Sequence, residues 1–365
     1  MPAAVNTTAD IRSKVRSGKR LTREEGLELL QRADLLELGA LAQEVRFRHN
    51  PQRTVTFVID TNLNYSNVCD AYCTFCAFFR PLGHAEAYTF TPEEMVEKIG
   101  KAAAEGVTIV LLQGGLHPEL PLEYYEELVR LTCRRCPQVL PHFFSAPEIL
   151  KMSEVSGLSV RDVLARLQAA GQRSLPGGGA EVLSDRVKRK ISRLYPKNRT
   201  ADWVAVHREA QRLGYRTTAT MMYGHLEEDD DVIEHLEVVR ALQDETGGFT
   251  AFIPWSYKRE NTALGKKVKE EAGPNRYLRI IALSRLYLDN VPHVQASWFS
   301  EGKKTGQVAL NFGADDFGGT MFEESVMLAA GFYNRTTVEE VMTLIREAGF
   351  QPAQRTTLYE VVQRY

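Results

Sequence analysis

The stretch TFVIDTNLNYSNVCDAYCTFC, residues 56–76, runs from a short apolar segment into a loop that carries Cys69, Cys73 and Cys76. The β-branched and aromatic residues at 56–61 predict a strand, and the Asn-rich residues 62–67 end it. Three thiolates at this spacing can wrap one face of a 4Fe–4S cube, because cluster irons prefer soft ligands. With no fourth cysteine beside them, one iron stays open to bind a substrate or cofactor directly. A zinc set is the alternative, with His84 the nearest residue able to act as a fourth ligand.

Outward from this loop, strand-like runs alternate with amphipathic helices. Further strands are expected at residues 108–113, 142–145, 174–176 running into 177–183, 217–223, 250–254, 294–298 and 308–312. Helices fall at residues 92–105 (Thr91 and Glu94 as capping box, Pro92 at the first position, Gly106 as stop), at 201–213 before Gly214, and after the Thr337/Glu340 box. Eight strands alternating with helices predict an α/β fold of the (β/α)8 TIM-barrel type, whose active site lies at the C-terminal ends of the strands. Residues 1–50 read as a helical N-terminal extension with Thr22 and Glu25 as its capping box, residues 51–335 as the barrel, and residues 336–365 as a C-terminal helix and tail.

The chain has 365 residues, 44% hydrophobic and 25% charged, enough apolar material for a large core. A net charge of −2 gives no field favouring nucleic acid or an acidic membrane. No apolar run is long enough to span a bilayer, and residues 1–20 lack a signal-peptide core. Five cysteines, three of them within eight residues, are not a disulfide framework, so a cytoplasmic location is expected.

The CxxxCxxC spacing after a first barrel strand resembles the radical S-adenosylmethionine (SAM) superfamily. Within it the chain is similar to the cyclic dehypoxanthinyl futalosine synthases of menaquinone biosynthesis, and to two sister groups, the aminofutalosine synthases and the deazaflavin (FO) synthases. The likeness rests on Asn67-Val68-Cys69, Phe75-Cys76-Ala77-Phe78, Leu112-Gln113-Gly114-Gly115-Leu116-His117-Pro118, Pro176-Gly177-Gly178-Gly179-Ala180-Glu181, Thr218 through His225, Phe252-Ile253-Pro254-Trp255 and Phe312 through Met321. Phe78-Phe79-Arg80 and Pro254-Trp255 lean towards the cyclases, although Phe79 stands where those enzymes usually carry Tyr, and Lys258-Arg259 is atypical.

The resemblance implies one 4Fe–4S cluster on Cys69, Cys73 and Cys76, with SAM on its open iron. It further implies a deoxyadenosyl radical that takes hydrogen from C4′ of dehypoxanthine futalosine, so that the new radical adds to the benzoate ring. An electron donor such as flavodoxin or ferredoxin is the expected partner. Phe75 is expected beside cluster and adenine, Gly114 and Gly115 at the SAM amino group, Glu181 at the ribose and Arg199 at the SAM carboxylate. Met222 is placed with the cofactor-binding residues. His117 and His225 follow strands two and five and are expected to face the cavity, as substrate ligands or as acceptor of the ring proton. Asp315 and Asp316 could hold sugar hydroxyls or cap a turn. Cys133 and Cys136 share a helix face with Tyr125 and Val129, which reads as core packing. The rival from another class is a non-catalytic cluster or zinc protein.

Overall fold

A computed structural model describes residues 8–192, 199–320 and 323–365. Its centre is a curled parallel sheet in the order β2-β3-β4-β5-β6-β7-β8, formed by β2 (Asp60–Leu63), β3 (Ile109–Leu112), β4 (Leu140–Phe143), β5 (Ser174–Leu175), β6 (Arg216–Tyr223), β7 (Phe249–Ser256) and β8 (His293–Val294). β1 (Thr54–Val58) leads into β2 past Ile59 and pairs in parallel with β9 (Asp316–Gly319). A bridge from Gln295 to Asp316 joins β9 to the β8 edge. The ring thus has eight positions, with β1 and β2 sharing one.

Helices cover the outside. Pro92–Ala104 starts at the capping box of Thr91 and Glu94, and Thr200–Arg212 stops before Gly214, which has φ +93°. The N-terminal helices Thr8–Arg16, Arg23–Arg32 and Leu35–His49 form a layer against helix Pro274–Tyr287, the second opening at the Thr22/Glu25 box. Gly39 lets this layer seat closely: an added Cβ would stand 2.6 Å from the Phe312 ring.

Three expectations about elements fail. β5 stops at Leu175, and residues 177–183 form turns and bends instead of continuing it. Residues 308–312 are not a strand; helix Lys303–Ala309 ends there, with Val308 exposed. The alternation of apolar residues imitates a strand, but Gly306 packs so closely on Trp298 that an added Cβ would lie 2.5 Å from its Cβ. The eighth position is instead filled by Asp-Phe-Gly-Gly of β9, which as sequence reads as a turn. After helix Val338–Glu347 the chain is not merely a tail. β10 (Gln351–Arg355) pairs in parallel with β1, and β11 (Val361–Arg364) returns antiparallel to it. No described helix is long and apolar enough to cross a membrane.

Candidate active site

The loop after β2 carries the three cysteines, and backbone hydrogen bonds fix its path. Cys69 N–H donates to Arg80 O (2.9 Å), Asp70 N–H to Leu116 O (3.2 Å) and Thr74 N–H to Ile191 O (2.9 Å), while Thr74 O accepts from Leu264 N–H (2.8 Å). Cys73 forms a bridge with Ser192. The Arg80 guanidinium donates to the carbonyls of Ala77 and Phe79, and Lys151, almost fully buried, pairs with Asp70 at 2.7 Å. Tyr72 sits between Cys69 and Cys73 at φ +51°. A non-glycine residue held there is strained, and such strain persists where the surroundings over-determine it.

Gly114 and Gly115 follow β3. A Cβ on Gly114 would lie 2.5 Å from the Tyr65 ring, and one on Gly115 would lie 2.1 Å from Val68 O. Contact with the cysteine loop itself therefore forbids side chains here, which is a different reason from the room for a ligand that the sequence suggests. Glu148 braces the turn from below: it accepts from Gly114 N–H (3.0 Å), Tyr65 Oη (2.8 Å) and the N–H and Oγ of Ser145 (2.6 Å each). Burial raises its pKa. Its sequence signal was the Ser145-x-x-Glu148 capping box, and sequence reasoning missed it.

The barrel surrounds a cavity that opens to solvent. Gln113, Gly177–Gly179, Glu181, Thr218 and Thr220 line one end, with Trp255 and Phe299 nearby, while Ile109, Leu111, Val58 and Ile253 supply apolar wall. Glu181 stands at φ +43°, and its carbonyl accepts from Met222 N–H at 2.8 Å. Met222 thus touches the site through its main chain. Lys188, another residue the sequence reading missed, projects from helix Asp185–Ile191 with its side chain 5% exposed. Its Nζ lies 2.9 Å from Gly179 O and 3.7 Å from Glu181 Oε2. Burial lowers its pKa, while Glu181, Asp185 and Cys73 pull it back up. The structure therefore places a buried amine beside Gly179 and Glu181.

The remaining expected residues divide. Phe75 is half-buried and packs against the core beside the cysteine loop, away from the cavity lining. Neither expected histidine lines the cavity. His117 accepts Glu119 N–H at Nδ1 (3.1 Å); His225 accepts Leu226 N–H at Nδ1 (2.7 Å) and meets Met222 O at Nε2 (3.0 Å). Both rings are bound into their own turns, and burial lowers the pKa of each. The guanidinium of Arg199 forks onto Asp202 (3.0 and 3.1 Å) on an exposed helix start, not towards the cavity. Asp315 is engaged by Arg285, His293, Asn50 and Val294 N–H, and Asp316 by Arg355, Thr56 and Gly318 N–H, so both are internal ties outside the cavity lining. Met321, which ends the last matching run, lies outside the described residues. Cys133 and Cys136 are packing thiols with pKa values raised by burial; an added Cβ on Gly171 would lie 2.6 Å from Cys133 Sγ.

Both implied cofactors fit these residues. Three soft sulfur donors in one loop match a cluster, and the Gly177–Gly179 cradle with the Glu181 acceptor matches a ribose-bearing ligand. At Gly178 an added Cβ would stand 2.3 Å from Gln113 Nε2. The zinc alternative finds no such support. Among the described residues no three His, Cys, Asp or Glu converge as a single-ion site, and His84 Nδ1 already accepts Glu86 N–H. Sulfurs around a cube stand further apart than ligands of one ion.

Residues 63–239 match the model of the radical SAM superfamily, and residues 246–364 that of the CofH/MqnC C-terminal region. The chain is 41% identical to the cyclic dehypoxanthine futalosine synthase of Halalkalibacterium halodurans, over 96% of this chain and 93% of that enzyme. The chain belongs to the radical SAM superfamily. Other members are similarly near. The aminodeoxyfutalosine synthase of Streptomyces coelicolor is 40% identical over 98% of this chain and 94% of its own. The 5-amino-6-(D-ribitylamino)uracil–L-tyrosine 4-hydroxyphenyl transferase of Methanopyrus kandleri is 41% identical over 85% of each. Among solved structures, the FeFe-hydrogenase maturase HydG from Carboxydothermus hydrogenoformans superposes with a TM-score of 0.74 at 16% identity, over 96% of this chain and 80% of that one, which shows the shared fold. Radical SAM enzymes employ a 4Fe–4S cluster and SAM, and this radical SAM chain carries a cysteine triad in the loop after β2.

Proposed function

We propose that this radical SAM enzyme is a cyclic dehypoxanthine futalosine synthase. The observation that carries the reading is the end-to-end likeness to an enzyme of that name, 41% identical over 96% of the chain, with a second from Streptomyces coelicolor at 40% over 96%. Phe78-Phe79-Arg80 and Pro254-Trp255 support it from within the site. Phe79 packs on Cys69, Ala71 and Leu116 and meets the Tyr72 ring at 5.5 Å, Arg80 ties the loop carbonyls, and Trp255 lines the cavity.

Cys69, Cys73 and Cys76 would hold the cluster, and Glu181 with the adjoining glycines would hold SAM. When bound, the two cofactors supply a carbon radical able to abstract hydrogen. The chain's own part is placement and water exclusion. The apolar wall of Val58, Ile109, Leu111 and Ile253 keeps solvent from the reacting carbon, and Trp255 with Phe299 offers an aromatic face for a substrate ring. His117 and His225 stand outside this chamber. The titratable groups that line it are Asp60, His142, Glu181 and Glu324. His142, which burial holds down to about 3, is a neutral imidazole.

The test is anaerobic turnover of dehypoxanthine futalosine with SAM and a strong reductant. Deuterium at sugar C4′ should enter deoxyadenosine, deuterium at C5′ should stay behind, and the product should be two hydrogens lighter than the substrate. The aminodeoxyfutalosine synthase reading, favoured by the 40% match over 98% of the chain, predicts consumption of an enolpyruvyl benzoate with little free deoxyadenosine. That outcome would overturn the cyclase assignment.

A further inference from the structure

The cysteine loop is gripped from two sides at one residue. Thr74, between Cys73 and Cys76, donates its N–H (2.9 Å) and its hydroxyl (2.6 Å) to the carbonyl of Ile191, the last residue of helix Asp185–Ile191. Its own carbonyl accepts from Leu264 N–H (2.8 Å). Both partners carry basic residues beside the bond. Arg189 and Lys190 immediately precede Ile191, while Lys266 and Lys267 follow Leu264 by two and three positions, with Lys269 beyond them. A chain spans at most about 3.3–3.6 Å per residue, so the first four stand within about 11 Å of a residue bonded to Thr74. The second segment is pinned back on itself. Arg259 N–H reaches Glu271 (3.3 Å), its guanidinium bonds the carbonyl of Lys269, and Thr262 Oγ1 donates to Arg259 O (2.9 Å).

Charge on this face is unbalanced. Arg189, Lys190, Lys266, Lys267 and Lys269 are all exposed, and none makes an ion pair or side-chain hydrogen bond among the described residues. Of the two acids that end the second segment, Glu271 is turned to Lys258 at 3.6 Å, which leaves Glu270 beside Lys269. On the other side of the same loop the cations are paired: Arg80 with Glu86 (2.6 Å), and Lys151 with Asp70 (2.7 Å) and Glu154 (2.8 Å). A helix C-terminus favours cations at 189 and 190, but that does not account for Lys266, Lys267 and Lys269. Like charges gathered on one surface repel and add nothing to the fold. What they do is draw in an oppositely charged partner and speed its arrival.

The spread of these side chains over two segments suits a macromolecular surface rather than a small anion, which needs donors converging on one point. Position selects the macromolecule. The face borders the loop that carries Cys73 and Cys76, and a partner that exchanges electrons gains from that nearness. A polyanion such as RNA does not.

We propose that Arg189, Lys190, Lys266, Lys267 and Lys269 form the docking face for an acidic one-electron carrier protein. In each encounter the carrier is oxidised by one electron, and the cluster held by Cys69, Cys73 and Cys76 is reduced by one. This goes beyond the cyclase reading and does not depend on it, because it rests on the cysteine triad and not on the substrate.

The experiment follows, by anaerobic stopped flow, the oxidation of an acidic reduced flavodoxin and of an acidic reduced ferredoxin by the cluster-loaded enzyme without substrate. Arg189→Glu/Lys190→Glu and, separately, Lys266→Glu/Lys267→Glu should each slow the second-order reaction about 10-fold at low salt. The difference should largely vanish at 1 M salt, where charges are screened beyond about 3 Å. Lys19→Glu/Arg346→Glu, with the same change in net charge on the N-terminal layer and on helix Val338–Glu347, should stay close to wild type. Dithionite should reduce every variant as fully as wild type, with iron content and melting temperature unchanged. Should a reversed pair lose iron, glutamine at the same two positions replaces it and should slow the reaction in the same direction. If both face variants match the control variant in rate and salt dependence, the docking face is wrong. It is equally wrong if neither carrier reduces a wild type that dithionite reduces. If reversal abolishes binding of a fluorescent single-stranded RNA and leaves oxidation of both carriers unchanged, the face serves a polyanion and the proposal fails.

Discussion

Cys69, Cys73 and Cys76 are the sequence's clearest ligand signal, because a soft-ligand triad at fixed spacing has few other uses. Serine at any one of them should remove most of the cluster iron and abolish SAM cleavage. The double change Cys133→Ser/Cys136→Ser should leave the cluster spectrum unchanged, and normal iron content in a triad variant would defeat the assignment. Lys188 was illegible, because a lysine in a run of basic residues reads as a solvated helix face until the fold shows it buried against Gly179 and Glu181. Glu181→Gln should weaken SAM binding by about 1.5–3 kcal/mol, the scale of a charged hydrogen bond, without changing the iron count. Lys188→Met should weaken it in the same direction. Because the two groups share one contact, the double variant should cost less than the two single losses together. Strict additivity in the binding titrations would show that Lys188 does not act through Glu181.

At the level of elements, caps were readable and short strands were not. Thr91/Glu94 and Thr22/Glu25 announce their helices through reciprocal hydrogen bonds that involve only four residues each. β9 reads Asp-Phe-Gly-Gly and carries too little periodicity to be recognised, and the expected strand at 174–176 was drawn on too far because β5 is only two residues long; both exist because neighbouring strands pair with them. Turns behaved similarly. His117 and His225 sit after the right strands, but local side-chain-to-backbone hydrogen bonds decide where their rings point, and spacing alone does not reveal those bonds. The Gly114-Gly115 turn makes the sharpest demand at this scale. Gly115→Ala would drive a methyl group into Val68 O, displacing the peptide next to Cys69. The expected result is a folded protein with near-native helical circular dichroism and poor retention of reconstituted iron. Full iron loading in Gly115→Ala would show that the cysteine loop does not depend on this contact.

Over the whole molecule, the alternation of strands and helices conveyed the barrel, while the way the ring closes was hidden in long-range charge pairs. The ties made by Asp315 join the N-terminal layer, β8 and helix Pro274–Tyr287: it receives Arg285, His293, Asn50 and Val294 N–H. No local pattern connects residues 50, 285 and 315. Burial opposes ionisation of Asp315, but Arg285 and His293 outweigh it and hold the carboxyl down at about 2. A carboxylate whose pKa is lower folded than unfolded stabilises the fold fully above its unfolded pKa and loses that contribution as pH falls through the folded one. For Asp315 the window runs from about pH 4 down to about 2, and the contribution is on the order of 2–3 kcal/mol. Denaturant titrations of wild type should therefore lose stability across this window beyond any loss in Asp315→Asn. The variant itself should be less stable at neutral pH by about 3–5 kcal/mol, because it leaves the buried Arg285 charge unpaired. Parallel pH profiles for the two proteins would mean that the charge on Asp315 is not what ties the first helices to the barrel.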